Sequence, residues 1–194
     1  MVGRTNAGGG ATEPYIEETY NPDGNLIDVR LYGHDKIRDY AFYNCINLAL
    51  TSLPSGITSI GTYAFYGCTS LALTSLPSGI TSIGNNAFYR CTSLALTSLP
   101  SGITSIGNTT FFRCYNLSLT SLPSGITSIG KNAFGECTGL TSITFTGTPT
   151  SIESNAFNGC TNLTTINVPW ANGAVSGAPW GAANATINYN YRGA

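Results

Sequence analysis

"YGCTSLALTSLPSGITSIGNNAFYRC" fills residues 66–91, and "YRCTSLALTSLPSGITSIGNTTFFRC" fills residues 89–114. The second restates the first after a step of 23 residues, and the same step marks most of the chain. Cysteines stand at 45, 68, 91, 114, 137 and 160. Three residues before each is a phenylalanine: Phe42, Phe65, Phe88, Phe111, Phe134 and Phe157. Three residues after each is a leucine: Leu48, Leu71, Leu94, Leu117, Leu140 and Leu163. A fixed period of about 20–50 residues marks a solenoid, in which each repeat is one coil that buries its apolar face against its neighbours.

One coil can be read residue by residue. Leu71 and Leu73 follow the two-residue period of a strand, and Leu76 breaks that parity, which predicts a bulge or bend near Thr74–Ser75. Pro77, Ser78 and Gly79 are turn residues, because proline sets φ and glycine admits positive φ. Ile80 and Ile83 point inward before Gly84 turns the chain. Ala87, Phe88, Cys91 and Leu94 then stand at i, i+1, i+4 and i+7, the spacing of one face of a short helical turn that Asn85 or Asn86 caps. The expected coil is strand, turn, short extended piece and helical turn. Coils stacked at ~4.8 Å form a parallel β-sheet on one side with short helices on the other.

The pattern L-x-x-L-x-L-P…I-x-x-I-G-x-x-A-F-x-x-C resembles the BspA-like class of leucine-rich repeats over residues 26–169. It is carried by Ile-x-x-Ile-Gly at 57–61, 80–84, 103–107 and 126–130, and by Ala-Phe-x-x-Cys at 41–45, 64–68, 87–91, 133–137 and 156–160. Two departures stand out. Four repeats read L-A/S-L-T-S-L, which leaves their strand register open, whereas "LTSITF" (140–145) and "LTTINV" (163–168) keep the pattern. Thr110 replaces the alanine. The resemblance implies a curved, mainly β, non-enzymatic leucine-rich repeat solenoid. It also implies a bacterial surface or secreted protein engaged in protein binding and adhesion. The C-terminal tail resembles that of prophage-encoded members, which implies an alternative, a structural or receptor-contact component of a phage particle.

The ends depart from the repeat. Residues 1–12 are Gly-rich and polar and read as a flexible tail. Within residues 13–40, the N-terminal cap, "YIEETYNPDGNLIDVRLYG" (15–33) reads as a β-hairpin turning at Asn21-Pro22-Asp23-Gly24. Positions 1–40 hold 11 of the 17 charged residues, as a cap with a protected edge should. Residues 41–168 are the array, and residues 169–194 the C-terminal cap. There Trp170 and Trp180 read as plugs for the open core, with a tryptophan-lined ligand site as the alternative, and "ATINYNY" (185–191) reads as a last edge strand.

Composition excludes several functions. Charged residues make up only 9% of the 194, with a formal net charge of −1, so the several Lys and Arg that neutralise nucleic-acid phosphates are missing. The N-terminus shows no signal-peptide apolar run, and no stretch reaches the ~18 apolar residues of a membrane span. The family resemblance implies a location at the cell surface, in the medium or in a virion, although this chain itself shows no signal peptide. The sole histidine, His34, has no nucleophile motif beside it, only Glu136 and Glu153 supply carboxylates to the repeats beyond the cap, and no C-x₂-C pair suits zinc. No catalytic residue, metal ligand or cofactor is expected. The cysteines read as a core thiol ladder, weighed against disulfide and metal roles.

Binding can use either of two surfaces. With Ala87, Phe88 and Cys91 facing inward, the two positions before each cysteine face outward. They place Tyr43, Tyr66, Tyr89 and Phe112 in successive coils with Arg90 and Arg113, a ridge of hot-spot residue types for a protein or glycan on a cell surface. The structural alternative is that these rings only shield neighbouring coils. The second surface is the sheet face, with Thr51, Ser52, Thr74, Ser75, Thr97, Ser98, Thr120 and Ser121.

Overall fold

A hairpin opens the structure, a computed structural model that describes residues 2–6 and 15–193. Strand β2 (Tyr15–Tyr20) pairs antiparallel with β3 (Leu26–Tyr32) across a turn closed by the Gly24 N–H donating to the Asn21 carbonyl at 3.0 Å. Gly24 takes φ 81°, which glycine adopts without a Cβ penalty. The flexible tail expected at residues 1–12 is corrected in part: β1 (Val2–Asn6) pairs antiparallel with β2, and the rest of that tail lies outside the described residues. β3 also serves as a zeroth rung, since Ala49 N–H donates to the Ile27 carbonyl as Ala72 N–H does to Leu50 one coil later.

The coils stack in register. Strands β4 (Lys36–Ile37), β5 (Ser59–Ile60) and β6 (Ser82–Ile83) form one parallel ladder. Three further strands, β7 (Ser105–Ile106), β9 (Ser128–Ile129) and β11 (Ser151–Ile152), continue the series as a second parallel ladder. Each isoleucine is buried, while the side chain before it points to the opposite face. A further parallel sheet takes the order β13-β12-β10-β8, from β8 (Ser121–Leu122), β10 (Ser142–Phe145), β12 (Thr165–Asn167) and β13 (Thr186–Asn188). The last edge strand expected at 185–191 is thus β13, paired to β12.

Two expectations about the coil are corrected. No strand forms at Leu71–Leu76 or Leu94–Leu99, where one was expected; the Ser-Ile pairs of "ITSIG" carry the ladder instead. These segments break the two-residue parity, and the one such segment that forms a strand, at Ser121–Leu122, pairs with the regular β10. Leu71 and Leu73 are buried, the chain bends at Thr74, and Leu76 is only half-buried. Where the pattern is "LTSITF", Ile143 and Phe145 keep a period of two, and β10 results.

The helical turn is absent as well. Among the described residues there is no helix. An α-helix sends every N–H to the carbonyl four residues back. Here alternate N–H groups close tight turns (Ala87 to Gly84, Tyr89 to Asn86, Cys91 to Phe88), and the N–H groups between them donate to the next coil. Those inter-coil bonds run from Asn86 to Asn108, Phe88 to Thr110 and Arg90 to Phe112, at 3.1, 2.9 and 2.7 Å. Asn86 (φ 57°) and Arg90 (φ 59°), the third positions of the turns 84–87 and 88–91, are left-handed, as a type II turn requires. A left-handed L-residue costs about 1–2 kcal/mol, and the bond to the next coil offsets it.

Columns of identical side chains fill the interior. Rings of Phe42, Phe65, Phe88, Phe111, Phe134 and Phe157 stack at centroid distances of 5.2, 5.5, 5.6, 5.5 and 5.2 Å. Each buried ring contributes roughly 2–3 kcal/mol. The thiols of Cys68, Cys91, Cys114, Cys137 and Cys160 are buried and free, and each donates to the phenylalanine carbonyl 26 residues earlier at 2.9–3.1 Å. Thr110 fits its buried alanine position because its hydroxyl donates to the Gly107 and Gly84 carbonyls, at 3.0 and 3.4 Å. At the C-terminal end, Trp170 and Trp180 are buried against Phe145, as the plug reading expects. Phe157 N–H donates to the Trp180 carbonyl, so the cap backbone imitates another coil.

Candidate partner-binding surface

The alternating turns decide where the outward side chains go. Because each coil repeats the same hydrogen bonds, equivalent side chains lie directly above one another. Tyr43 stacks on Tyr66 at 4.9 Å, Tyr66 on Tyr89 at 4.5 Å, and Tyr89 on Phe112 at 5.1 Å, with interplanar angles of 12°, 2° and 15°. The expected ridge residues therefore form one column. Tyr43 is exposed; Tyr66, Tyr89 and Phe112 are half-buried by their stacking partners.

A second column was not among the residues expected. Tyr40 stacks on Tyr63 at 4.9 Å, and Tyr63 contacts Tyr43 and Tyr66 at 6.3 and 5.7 Å. The signal was present, a tyrosine 23 residues after another and five before each cysteine, but the expected helix put those positions elsewhere. Six rings thus make one patch over the first four coils, most open at Tyr40 (57% exposed) and Tyr43 (44%). The column ends at Gly135. A Cβ there would stand 2.6 Å from Phe112 Cδ2, so the absent side chain makes room for the last ring.

The two arginines differ. Arg113 lies 5.3 Å from the centroid of the Phe112 ring and is held bidentately by Glu136, at 2.9 and 3.2 Å. Arg90 is exposed, with no hydrogen bond or ion pair to its guanidinium among the described residues. It neighbours Tyr66: burial among its neighbours pushes the Tyr66 hydroxyl pKa up, and the Arg90 charge pulls against that rise.

The hydroxyl face is also rearranged. Thr51, Ser52, Thr74, Ser75, Thr97, Ser98 and Thr120 are exposed and Ser121 is half-buried. The regular hydroxyl ladder sits elsewhere, at Thr58, Thr81, Thr127 and Thr150. Each of these donates to the carbonyl 23 residues earlier at 2.9–3.4 Å, which commits its proton inside the molecule. His34 is half-buried, and its Nε2 has no hydrogen-bond partner among the described residues. Burial pushes the thiols of Cys68 and Cys160 up to about 12, and those of Cys91, Cys114 and Cys137 well above the ordinary range. A raised thiol pKa disfavours the thiolate that nucleophilic attack requires. Among the described residues no group of three His, Cys, Asp or Glu could hold a metal ion, and no helix is long and apolar enough to cross a membrane.

Residues 35–164 match the family model of the BspA type leucine rich repeat region, in six copies. The crystal structure of a leucine-rich repeat protein from T. pallidum is similar at 29% identity and a TM-score of 0.58, over 78% of this chain and 80% of that one. A leucine-rich cell surface protein from Faecalibacterium prausnitzii is 27% identical with a TM-score of 0.53. That match covers 87% of this chain and 54% of the other, so this chain spans about half the length of that relative. The pneumococcal vaccine antigen PcpA, at 18% identity and a TM-score of 0.53 over 86% and 46% of the two chains, shares the fold. No curated protein matches. With the 23-residue period, the register of the coils and the six-copy match in agreement, the chain belongs to the BspA-type leucine-rich repeat family.

Proposed function

We propose that this protein is a non-enzymatic adhesion module that binds a partner protein on a cell surface through the aromatic ridge. The observation that carries the reading is the patch itself: six rings in four successive coils, beside an unpaired arginine, on a chain otherwise poor in charge. Tyrosine and arginine dominate binding hot spots, and contiguous exposed apolar area marks contact surfaces. The family supports the reading, since leucine-rich repeat proteins typically bind rather than catalyse. A cell surface relative supports the location.

The test uses Tyr66→Ala, Tyr89→Ala and Arg90→Ala, read by flow-cytometric attachment of labelled protein to bacterial and epithelial cells. Each variant should still fold, with a lowered melting temperature for the two tyrosines, since these rings are half-buried and each stacked pair adds about 0.5–1.5 kcal/mol beyond the area it buries. Attachment should drop at least tenfold. Attachment unchanged in all three folded variants would reject the ridge.

A further inference from the structure

Stacking decides which part of each ring a partner meets. Aromatic rings carry negative charge on their faces and positive charge on their edges. In the column from Tyr43 to Phe112 the faces are turned onto one another at 4.5–5.1 Å. Phe112, the last ring, lies over Gly135. Between the stacked rings, what a partner meets is ring edges and phenol hydroxyls. Cations seek ring faces, and on the Phe112 ring the Arg113 guanidinium already takes that place, 5.3 Å from the centroid. The edges and hydroxyls are well made for oxygen acceptors.

The formal charges have the same sign. Between Asp39 and Glu136 the chain has no acidic residue at all, and the only charged residues are Arg90, Arg113 and Lys131. Two of these three stand on the ridge. One carboxylate already occupies such a position within the molecule: Glu136 binds Arg113 by two charge-assisted hydrogen bonds beside Phe112. Arg90, one coil earlier, has the equivalent place beside Tyr89 and Tyr66 without a carboxylate partner. From this charge complementarity we infer that the ridge takes an acidic, extended segment of a partner protein, with a carboxylate seated on Arg90 as Glu136 is on Arg113. The inference rests on the ridge being the binding face and adds the chemistry of what it binds.

The test measures fluorescence anisotropy of a short labelled polyglutamate peptide, with a Gly-Ser peptide of equal length and polygalacturonate as comparison probes. Polyglutamate should bind, weakening steeply between about 50 and 300 mM salt as screening shortens. Arg90→Gln should weaken it about tenfold. Glu136→Gln should strengthen it several-fold, because it frees the second guanidinium. A purely structural role for the arginines predicts no such gain. Equal binding of the Gly-Ser peptide, no binding of polyglutamate, preference for polygalacturonate, or an inert Arg90→Gln would each overturn the inference. Cell attachment separates the two readings. If Tyr66→Ala and Tyr89→Ala abolish attachment while Arg90→Gln leaves it intact, the ridge stands and the acidic partner falls. If the tyrosine variants attach normally, the ridge itself falls.

Discussion

Earlier and later coils of the array have the same length and the same Phe–Cys columns, yet they build their sheet side differently. In the coils at 71–99, "LALTSLP" bends after its second leucine, and one hydrogen bond per coil joins neighbours there, such as Ala95 N–H to Leu73 O. In the coils at 140–168, "LTSITF" and "LTTINV" form continuous strands β10 and β12, joined by three paired residues. The turn side shows the reverse. The first four coils carry the stacked aromatics, and the later ones carry Gly135 and Asn158 at the same position. The coils that form no strand on one side thus carry stacked aromatic rings on the other. A repeat protein needs only nearest-neighbour packing, so its shared column leaves each face free to differ.

The shared column should show the largest effect. The buried thiols have pKa values raised by burial, to about 12 for Cys68 and Cys160, against an ordinary value of 9.0. The folded state therefore holds protons that the unfolded state releases. Stability is complete below about pH 9 and falls between about pH 9 and 12, by up to ~1.4 kcal/mol per thiol per pH unit. Denaturant melts at rising pH should show early alkaline unfolding; a flat profile to pH 11 would contradict the thiol column.

Next comes the closed end. Trp180→Ala empties a fully buried site and should cost about 3–5 kcal/mol by urea unfolding. Amides of β12 and β13 should lose protection before those of β5 and β6. Uniform loss would mean that the array melts as one block and that the two regions are not energetically distinct. Thr110→Ala restores the repeat's own residue but removes two hydroxyl contacts, and should destabilise by about 1 kcal/mol. A more stable variant would show that the hydroxyl is merely tolerated. The mildest difference needs no mutation. Amides of Thr97 and Ser98, exposed and outside any strand, should exchange far faster than those of Ile143 and Thr144 in β10. Equal rates would erase the contrast between the coils.

Much of this was legible because a repeat reports each position six times. The 23-residue period, the inward Phe, Cys, Leu and Ile positions, the hairpin, the bend near Thr74 and the tryptophan plug follow from spacing and turn chemistry. The helical turn did not. Apolar residues at i, i+1, i+4 and i+7 satisfy a helix and a run of tight turns alike, and the choice between them lies in hydrogen bonds to the next coil. That error hid Tyr40 and Tyr63. The outward placing of Tyr43, Tyr66, Tyr89 and Phe112 was legible, but not that these rings stack, nor that Arg113 is occupied by Glu136 and Arg90 is not.

By itself, then, the order of residues determined the coil: its length, its inward face and its need for like neighbours, all properties of one chain segment and its period. Only the tertiary structure decided what the coils do to each other. Left-handed φ at Asn86 and Arg90 is tolerable because the next coil accepts their N–H groups. The rings hide their faces because stacking sets them 4.5–5.1 Å apart. Both depend on distances between residues 23 apart in sequence, and no local propensity encodes them.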